Sequence, residues 1–194
     1  MNAVSMSDTL FPEPGLPARR ILALSFPCLA TDRIRRARLG PSWRSRAHPE
    51  LGPLACAERA GSAFRIVAAD EVALARGVKL GQGVAEARAI CPALEVVTAD
   101  PEADRRFLDA LADWADRYTP LVGLDEDRGL YLDIAGCAHL FGGEAALMAD
   151  CLDRLFHLGV MAQAAIAPTP GLAWALARYA PGRVAGAGEA KDLV

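Results

Sequence analysis

The stretch LVGLDEDRGLYLDI, residues 121–134, predicts two β-strands joined by a turn. Two short apolar runs, 121–124 and 130–134, flank a polar segment that ends at Gly129. Short apolar runs separated by a polar, glycine-containing segment are typical of a β-hairpin. We therefore expect a hairpin whose exposed turn contains the acidic segment 125–127.

A strand and helices are predicted around this hairpin. Residues 21–26 form an apolar run ended by Pro27, which indicates a buried strand, and Thr31 or Asp32 is expected to cap the helix that follows. A longer helix over 101–118 has an aspartate at its N-cap and apolar residues at helical spacing. Further on, the sequence predicts a helix over 144–158, a strand over 161–166 and a helix over 171–179.

Residues 40–99 interrupt this series with a small unit of their own. The unit begins with a loop over 40–53 and continues with predicted strands over 54–57, 64–68 and 94–98 and helices over 70–76 and 84–90. When it is set aside, the order is strand, helix, strand, strand, helix, strand, which is the ferredoxin-like βαββαβ pattern. The sequence therefore predicts an α+β fold in which a small subdomain is inserted into a ferredoxin-like unit.

The composition indicates a globular chain. Hydrophobic residues make up 53% of the 194 residues, which is enough for a packed core, and the net charge of −3 gives no overall sign of nucleic-acid binding. The five cysteines form no CxxC pair, so we expect reduced thiols and a cytoplasmic protein. No apolar stretch is long enough to predict a membrane span, and residues 1–18 are expected to be a flexible tail without the pattern of a signal peptide.

Several short motifs resemble those of Y-family DNA polymerases. The segments GVKLGQ at 77–82 and AEARAICP at 85–92 are similar to the fingers signature of that family. The segments YTP at 118–120 and YLDIAG at 131–136 resemble the sequences that flank its catalytic hairpin. The motifs follow the family order over residues 20–182, so the chain resembles a Y-family polymerase-like protein with a UmuC domain.

Within this family, GCAHLFGGE at 136–144 is most similar to the ImuB subgroup, whose members are catalytically degenerate accessory proteins of DNA-damage-induced mutagenesis. The resemblance implies a palm over 19–39 and 100–182 and a fingers insertion over 40–99. It also implies that residues 183–194 are the start of a thumb or a truncated tail.

The same resemblance indicates where catalytic carboxylates would lie. Polymerisation on a palm requires two divalent cations about 3.5–4 Å apart, and the family holds them with one acid on the first strand and an acidic pair at the start of the third. In this chain those positions fall on Ser25, Arg128 and Gly129, none of which is a carboxylate. We therefore expect no catalytic residues, no metal site, no cofactor and no enzymatic activity.

Two alternative functions stay open at this point. Asp125 and Asp127 would face the same side of a continued strand and could then hold Mg²⁺, which would make the chain an active translesion DNA polymerase. A dense run of arginines could instead bind DNA phosphates independently of sequence, with Trp43 stacked on a base, although the same run suits a solvated helix face. Its members are Arg33, Arg35, Arg36, Arg38, Arg44 and Arg46.

The leading hypothesis is a non-catalytic, polymerase-like accessory protein in translesion synthesis during the SOS response. The resemblance implies that such a protein recruits or supports an error-prone polymerase and binds the sliding clamp, with DNA as a further partner. The chain stops near the end of the predicted palm, so we expect the C-terminal recruiting regions of the subgroup to lie outside it.

Overall fold

The computed structural model describes residues 19–125 and 129–186. In chain order the elements are β1 (Ile21–Ser25), α1 (Leu29–Leu39), β2 (Leu54–Ala60), β3 (Ala63–Ala69), α2 (Glu71–Ala75), α3 (Val84–Ile90), β4 (Glu95–Thr98), α4 (Pro101–Ala115), β5 (Val122–Asp125), β6 (Gly129–Asp133), α5 (Glu144–His157), β7 (Gln163–Ala167) and α6 (Pro170–Tyr179). None of the described helices has the length and apolar character that crossing a bilayer demands. The predicted tail over 1–18 and residues 187–194 lie outside the described residues.

Four strands form the main sheet, in the spatial order β5-β6-β1-β7, and every neighbouring pair is antiparallel. The chain passes from β1 to β5 through helices, and β6 lies between these two strands in the sheet. It passes from β6 to β7 through α5, and β1 lies between those two strands. This arrangement of two interlocked, split βαβ units is the ferredoxin-like topology. The fold class predicted from the sequence is therefore confirmed.

β1 is buried on both faces because helices cover both sides of the main sheet. Leu22 and Leu24 point to the face where they cluster with Leu108 of α4. Ile21 and Ala23 point to the opposite face, where they pack against α6. A strand covered on both faces is apolar throughout, which explains why its sequence shows no alternation of polar and apolar residues.

Residues 54–98 form the small subdomain, a three-stranded sheet in the order β3-β2-β4. β2 pairs antiparallel with β3 and parallel with β4. One face packs against α2 and α3, with Ile66 and Ala87 in the buried cluster. The other face packs against α1, where Ile34 clusters with Leu54. Helix α1 therefore belongs to the cores of both units and joins them.

A buried ionic network also joins the two units. Arg44, in the 3-10 turn Trp43–Ser45, donates to Asp32 of α1 at 2.5 Å and to Glu71 of α2 at 2.6 Å. The other carboxylate oxygen of Asp32 accepts from the N–H of Met161, just before β7, at 2.7 Å. Burial raises the pKa of Asp32 to about 6, although Arg44 and the Met161 N–H favour its charged form. Burial also disfavours the charge of Glu71, but the hydrogen bond from Arg44 holds its pKa below the ordinary value.

Several element boundaries differ from those predicted. α1 begins directly after Cys28, so neither Thr31 nor Asp32 caps it, and both are buried within its first turn. α4 ends earlier than predicted, and residues 116–118 form a turn. The sequence predicted that Asp125 lies in the turn. In the structure β5 extends through Asp125, which is therefore a strand residue.

Asp70 should be one of the residues on which stability depends most. Its Oδ1 caps α2 by accepting from Ala73 N–H at 2.8 Å, and its Oδ2 accepts from Leu54 N–H at 2.9 Å and from Arg35 at 3.2 Å. Replacing Asp70 with Ala leaves the buried guanidinium of Arg35 without its carboxylate. We expect Asp70→Ala to lower the free energy of unfolding by about 3–5 kcal/mol.

Asp100→Ala is the matched control, because Asp100 also caps a helix but is exposed, where its side chain accepts from Ala103 N–H at 3.0 Å. Loss of such a cap costs about 1 kcal/mol. Urea denaturation followed by circular dichroism measures both variants. Equal losses for the two would contradict the role assigned to Asp70.

Candidate functional site

Ser25 and Gly129, two of the positions predicted to lack a catalytic carboxylate, lie side by side. Ser25 ends β1 and Gly129 begins β6, and the two are direct partners in the antiparallel pairing of these strands. Both residues are buried. Directly opposite residues of antiparallel strands point to the same face. Ser25 and Gly129 therefore share the face of the main sheet that packs against α6.

Trp174 of α6 occupies the space beside Gly129. The centre of its ring system lies 5.7 Å from that of Tyr131, which follows Gly129 on the same face of β6. A β-carbon added to Gly129 would collide with this indole and with the carbonyl oxygen of Leu24 on the neighbouring strand. A carboxylate side chain therefore does not fit at position 129 unless the backbone and Trp174 both move.

Asp125 is the acidic residue of the described chain that lies nearest to this point in the strand pairing. It ends β5 and is the direct partner of Gly129 on the side away from β1. The hydroxyl of Tyr131 donates to its Oδ1 at 3.2 Å. Burial, together with the negative charge of Asp125, raises the pKa of Tyr131 to about 12, so the phenol keeps the proton that it donates.

This arrangement offers little chemistry for holding a cation. Asp125 contributes one carboxylate, which already accepts a hydrogen bond from Tyr131, whereas a two-metal site requires carboxylates from adjacent strands. Among the described residues no group of three or more His, Cys, Asp or Glu side chains could hold a metal ion. Asp127 and Arg128, the other residues named from the sequence, lie outside the described residues.

Most of the arginines predicted to contact DNA are engaged in intramolecular ion pairs. The pairs are Arg33 with Asp104 at 2.6 Å, Arg35 with Asp70 at 3.2 Å, Arg38 with Glu95 at 2.8 Å, and Arg44 with Asp32 and Glu71. Arg36 lies over the ring of Phe107 at 5.3 Å, and Arg46 is exposed. Arg35 and Arg44 could meet a phosphate only by leaving buried carboxylates unpaired. Binding of DNA by this run stays a prediction, and it depends mainly on the more exposed members.

Trp43, which the sequence offered as a base-stacking residue, is half-buried and bonded to the rest of the protein. Its Nε1 donates to the carbonyl oxygen of Gly159 at 3.0 Å, and the guanidinium of Arg44 lies 4.5 Å from its ring centre. A β-carbon on Gly159 would lie 2.6 Å from the Trp43 ring, so this close approach requires glycine. The ring therefore packs the turn against the loop before β7.

Trp174 is the residue that the sequence-based analysis missed. Its helix was predicted, but nothing in the local pattern indicated a contact with β6. The available signal was weak, because α6 also contains Tyr179 and places Leu176 beside Ala173 and Ala177 against the sheet. The absence of a side chain at Gly129 leaves the space that the indole occupies.

Comparison with known proteins identifies the family. Residues 42–178, more than half of the chain, match the model of the impB/mucB/samB family. The chain belongs to this family. Over 105 residues, 54% of the chain, it is 52% identical to Protein ImuB of Caulobacter vibrioides (strain NA1000 / CB15N), of which the matched stretch is 23%. It is also 36% identical over 77 residues, 40% of the chain, to DNA polymerase IV 2 of Mesorhizobium japonicum, covering 19% of that protein.

Solved structures of Y-family polymerases share the fold of this family member. The insertion ternary complex of Dbh DNA polymerase matches with a TM-score of 0.71 and 17% identity, covering 89% of this chain and 50% of that one. DinB from Sulfolobus solfataricus matches with a TM-score of 0.68 and 17% identity over the same shares. The chain thus spans about half the length of these structures. The resemblance to the ImuB subgroup and to the palm-and-fingers fold, both predicted from the sequence, is confirmed.

The close contact at Gly129 predicts a large difference between two glycines of one hairpin. We expect Gly129→Ala to lower the free energy of unfolding by about 2–4 kcal/mol, because its methyl group overpacks the contact with Trp174 and the Leu24 carbonyl. Gly123→Ala on β5 is the control, since the nearest atom to its β-carbon would be 4.0 Å away. Thermal and urea unfolding measure both. A mild effect of Gly129→Ala, similar to that of the control, would show that the site is open.

Proposed function

We propose that this chain is the palm and fingers part of a non-catalytic, polymerase-like accessory protein that acts in DNA-damage-induced translesion synthesis and mutagenesis. The observation that carries the proposal is the packing of Trp174 against Gly129, directly opposite Ser25. In this proposal, residues 19–39 and 100–182 are the palm and residues 40–99 are the fingers. Its role is to recruit or support an error-prone polymerase.

The physical argument concerns charge. A polymerase palm needs a cluster of carboxylates that two cations neutralise while they activate the primer hydroxyl and bind the triphosphate. Here the central strand ends in Ser25 and its partner begins with Gly129, so neither strand supplies a carboxylate at the point where they meet. An indole lies in the adjacent space, and it supplies no carboxylate oxygen to a metal ion.

The similarity to Protein ImuB supports the proposal that the protein assists another polymerase and does not synthesise DNA itself. The match to that protein is 52% identical, compared with 36% to DNA polymerase IV 2. The sliding clamp, an error-prone polymerase and DNA are the partners that we propose on this basis. We also propose action in the cytoplasm as part of the SOS response.

A metal-binding experiment tests the non-catalytic proposal without requiring a complete polymerase. We expect Mn²⁺ added with a deoxynucleoside triphosphate to leave the amide NMR signals of Ser25, Asp125 and Gly129 unbroadened, because the site lacks carboxylates from adjacent strands. Primer extension with Mg²⁺ or Mn²⁺ should give no product beside Dbh DNA polymerase as the positive control.

The variant Asp125→Ala distinguishes an active polymerase from a non-catalytic protein. Selective paramagnetic broadening at the three positions that disappears in Asp125→Ala, together with extension lost in the same variant, would establish an active polymerase and overturn the proposal. A Glu102→Ala change is the matched control, because Glu102 is an exposed acid on α4. It removes one negative charge at a position outside β5 and β6 and should leave the result unchanged.

A further inference from the structure

We propose that the open edge of β4 and the groove beside it bind an extended peptide of a partner protein, one that carries an apolar side chain and a carboxylate two residues apart. The proposal concerns the small subdomain and does not depend on whether the palm is catalytic. It adds a protein-docking surface to the described part of the chain.

The first element of this surface is the unpaired backbone of β4. In the parallel pairing with β2, Glu95 N–H donates to Pro53 at 2.9 Å and Ala99 N–H donates to Ala57 at 2.8 Å. The alternate residues, Val96 and Thr98, therefore direct their N–H and C=O groups away from β2. β4 is an edge strand of its sheet, and no described residue pairs with it on that side. An exposed strand edge is a template for an added strand.

The second element is an apolar groove on the face of the sheet that also carries α3. It has a volume of about 430 Å³ and is lined by Phe64, Val84, Val96 and Thr98, together with small residues of β2 and β3. Phe64 is 52% exposed, so about half of its surface is available for contact with a ligand. Side chains of an added strand would alternate between the two faces of the sheet. Every second side chain would thus lie on the face that carries the groove, and a side chain that enters the groove is favoured when it is apolar.

The third element is the charge at the rim of the groove. Arg88 lies one helical turn after Val84 on α3, lines the groove and forms no ion pair with any described residue. None of the described residues that line the groove is acidic. The nearest acid on β4, Glu95, points to the opposite face, where it pairs with Arg38 at 2.8 Å. The groove therefore presents one uncompensated positive charge, and its complement in a ligand is a carboxylate.

These three elements together define the ligand. An edge strand recognises the backbone of an extended segment, the groove recognises an apolar side chain, and Arg88 recognises an acid. Because residues two apart in a strand point to the same face, the acid must lie two positions from the apolar residue. A helix has its own N–H and C=O groups paired internally, and a nucleic acid has no polypeptide backbone to pair with β4. An extended peptide is therefore the ligand that uses all three elements.

The test uses the peptide acetyl-Ser-Val-Phe-Val-Glu-Val-Ser-amide, titrated into the full chain and followed by amide NMR. We expect shifts at Phe64, Val84, Val96 and Thr98. Replacing the peptide Glu with Lys should weaken binding, and Arg88→Glu should weaken binding of the Glu peptide about tenfold or more while it improves binding of the Lys peptide. Lys79→Glu is the matched control, because Lys79 is an exposed cation of the same subdomain that does not line the groove.

A peptide that is N-methylated at the amides facing β4 tests the edge separately. It keeps the side chains but loses the backbone donors, so its binding should fall below detection. Equal binding of the methylated peptide, or equal effects of Arg88→Glu and Lys79→Glu, would overturn the proposal. It would also be overturned if residues 1–18 or a second copy of the chain filled the groove. In that case the amides of Val96 and Thr98 would be protected from hydrogen exchange, or would shift with protein concentration, before any peptide is added.

Discussion

The buried ionic network centred on Arg44 is the interaction on which the rest of the structure depends. Through Asp32, Glu71 and Met161 it connects α1, α2 and the segment before β7, which are far apart in the chain. The apolar cluster that joins the two units has Ala30, Ile34, Leu54 and Cys56 as its buried members. Buried ion pairs gain little net stability because desolvation offsets their attraction, but they tolerate few alternative arrangements. The apolar cluster supplies buried area, and we infer that the network fixes the orientation of the small subdomain.

The sequence predicted elements best where their ends are set by local chemistry. α4 begins as expected because Asp100 and Pro101 provide a cap and a first-turn residue within the helix itself. The predicted start of α1 was wrong. The helix begins after Cys28, whose side chain makes no capping hydrogen bond and so gives no signal in the sequence. Aspartate is a residue type that favours helix caps. Asp32 instead accepts hydrogen bonds from Arg44 and from the N–H of Met161, which lie in other segments of the chain. A residue type that favours a cap cannot be distinguished from one that completes a buried network until those partners are known.

The same distinction applies to the candidate site and to the arginine run. Ser25 and Gly129 were named from the spacing of the motifs, and the structure places them opposite each other on β1 and β6. Their assignment as former catalytic positions stays a prediction. Trp174 could not be located in this way, because its contact joins a helix to a strand through shape alone. The arginines were visible as charges, but Asp104 and Glu95, which neutralise two of them, lie in segments that only the fold brings near. The sequence therefore shows directly which positions lack a charged residue. It does not show which charged residues are free to bind a ligand, because that depends on ion pairs formed by the fold.

Replacing a metal site by packing changes what a palm requires in order to fold. A cluster of carboxylates without its cations is self-repulsive, so such a sheet end gains stability when the metal binds or when one of the acids protonates. In this chain Ser25, Gly129 and Trp174 lie at the end of the sheet, and the close contact of the indole with β6 holds that end. In the proposed accessory protein, interactions with partners would then come from other surfaces of the fold. Residues 183–185 cover the β7 edge through hydrogen bonds with Ile166, whereas the β4 edge has no such cover among the described residues. The small subdomain thus has an uncovered strand edge to which an extended peptide can add a strand.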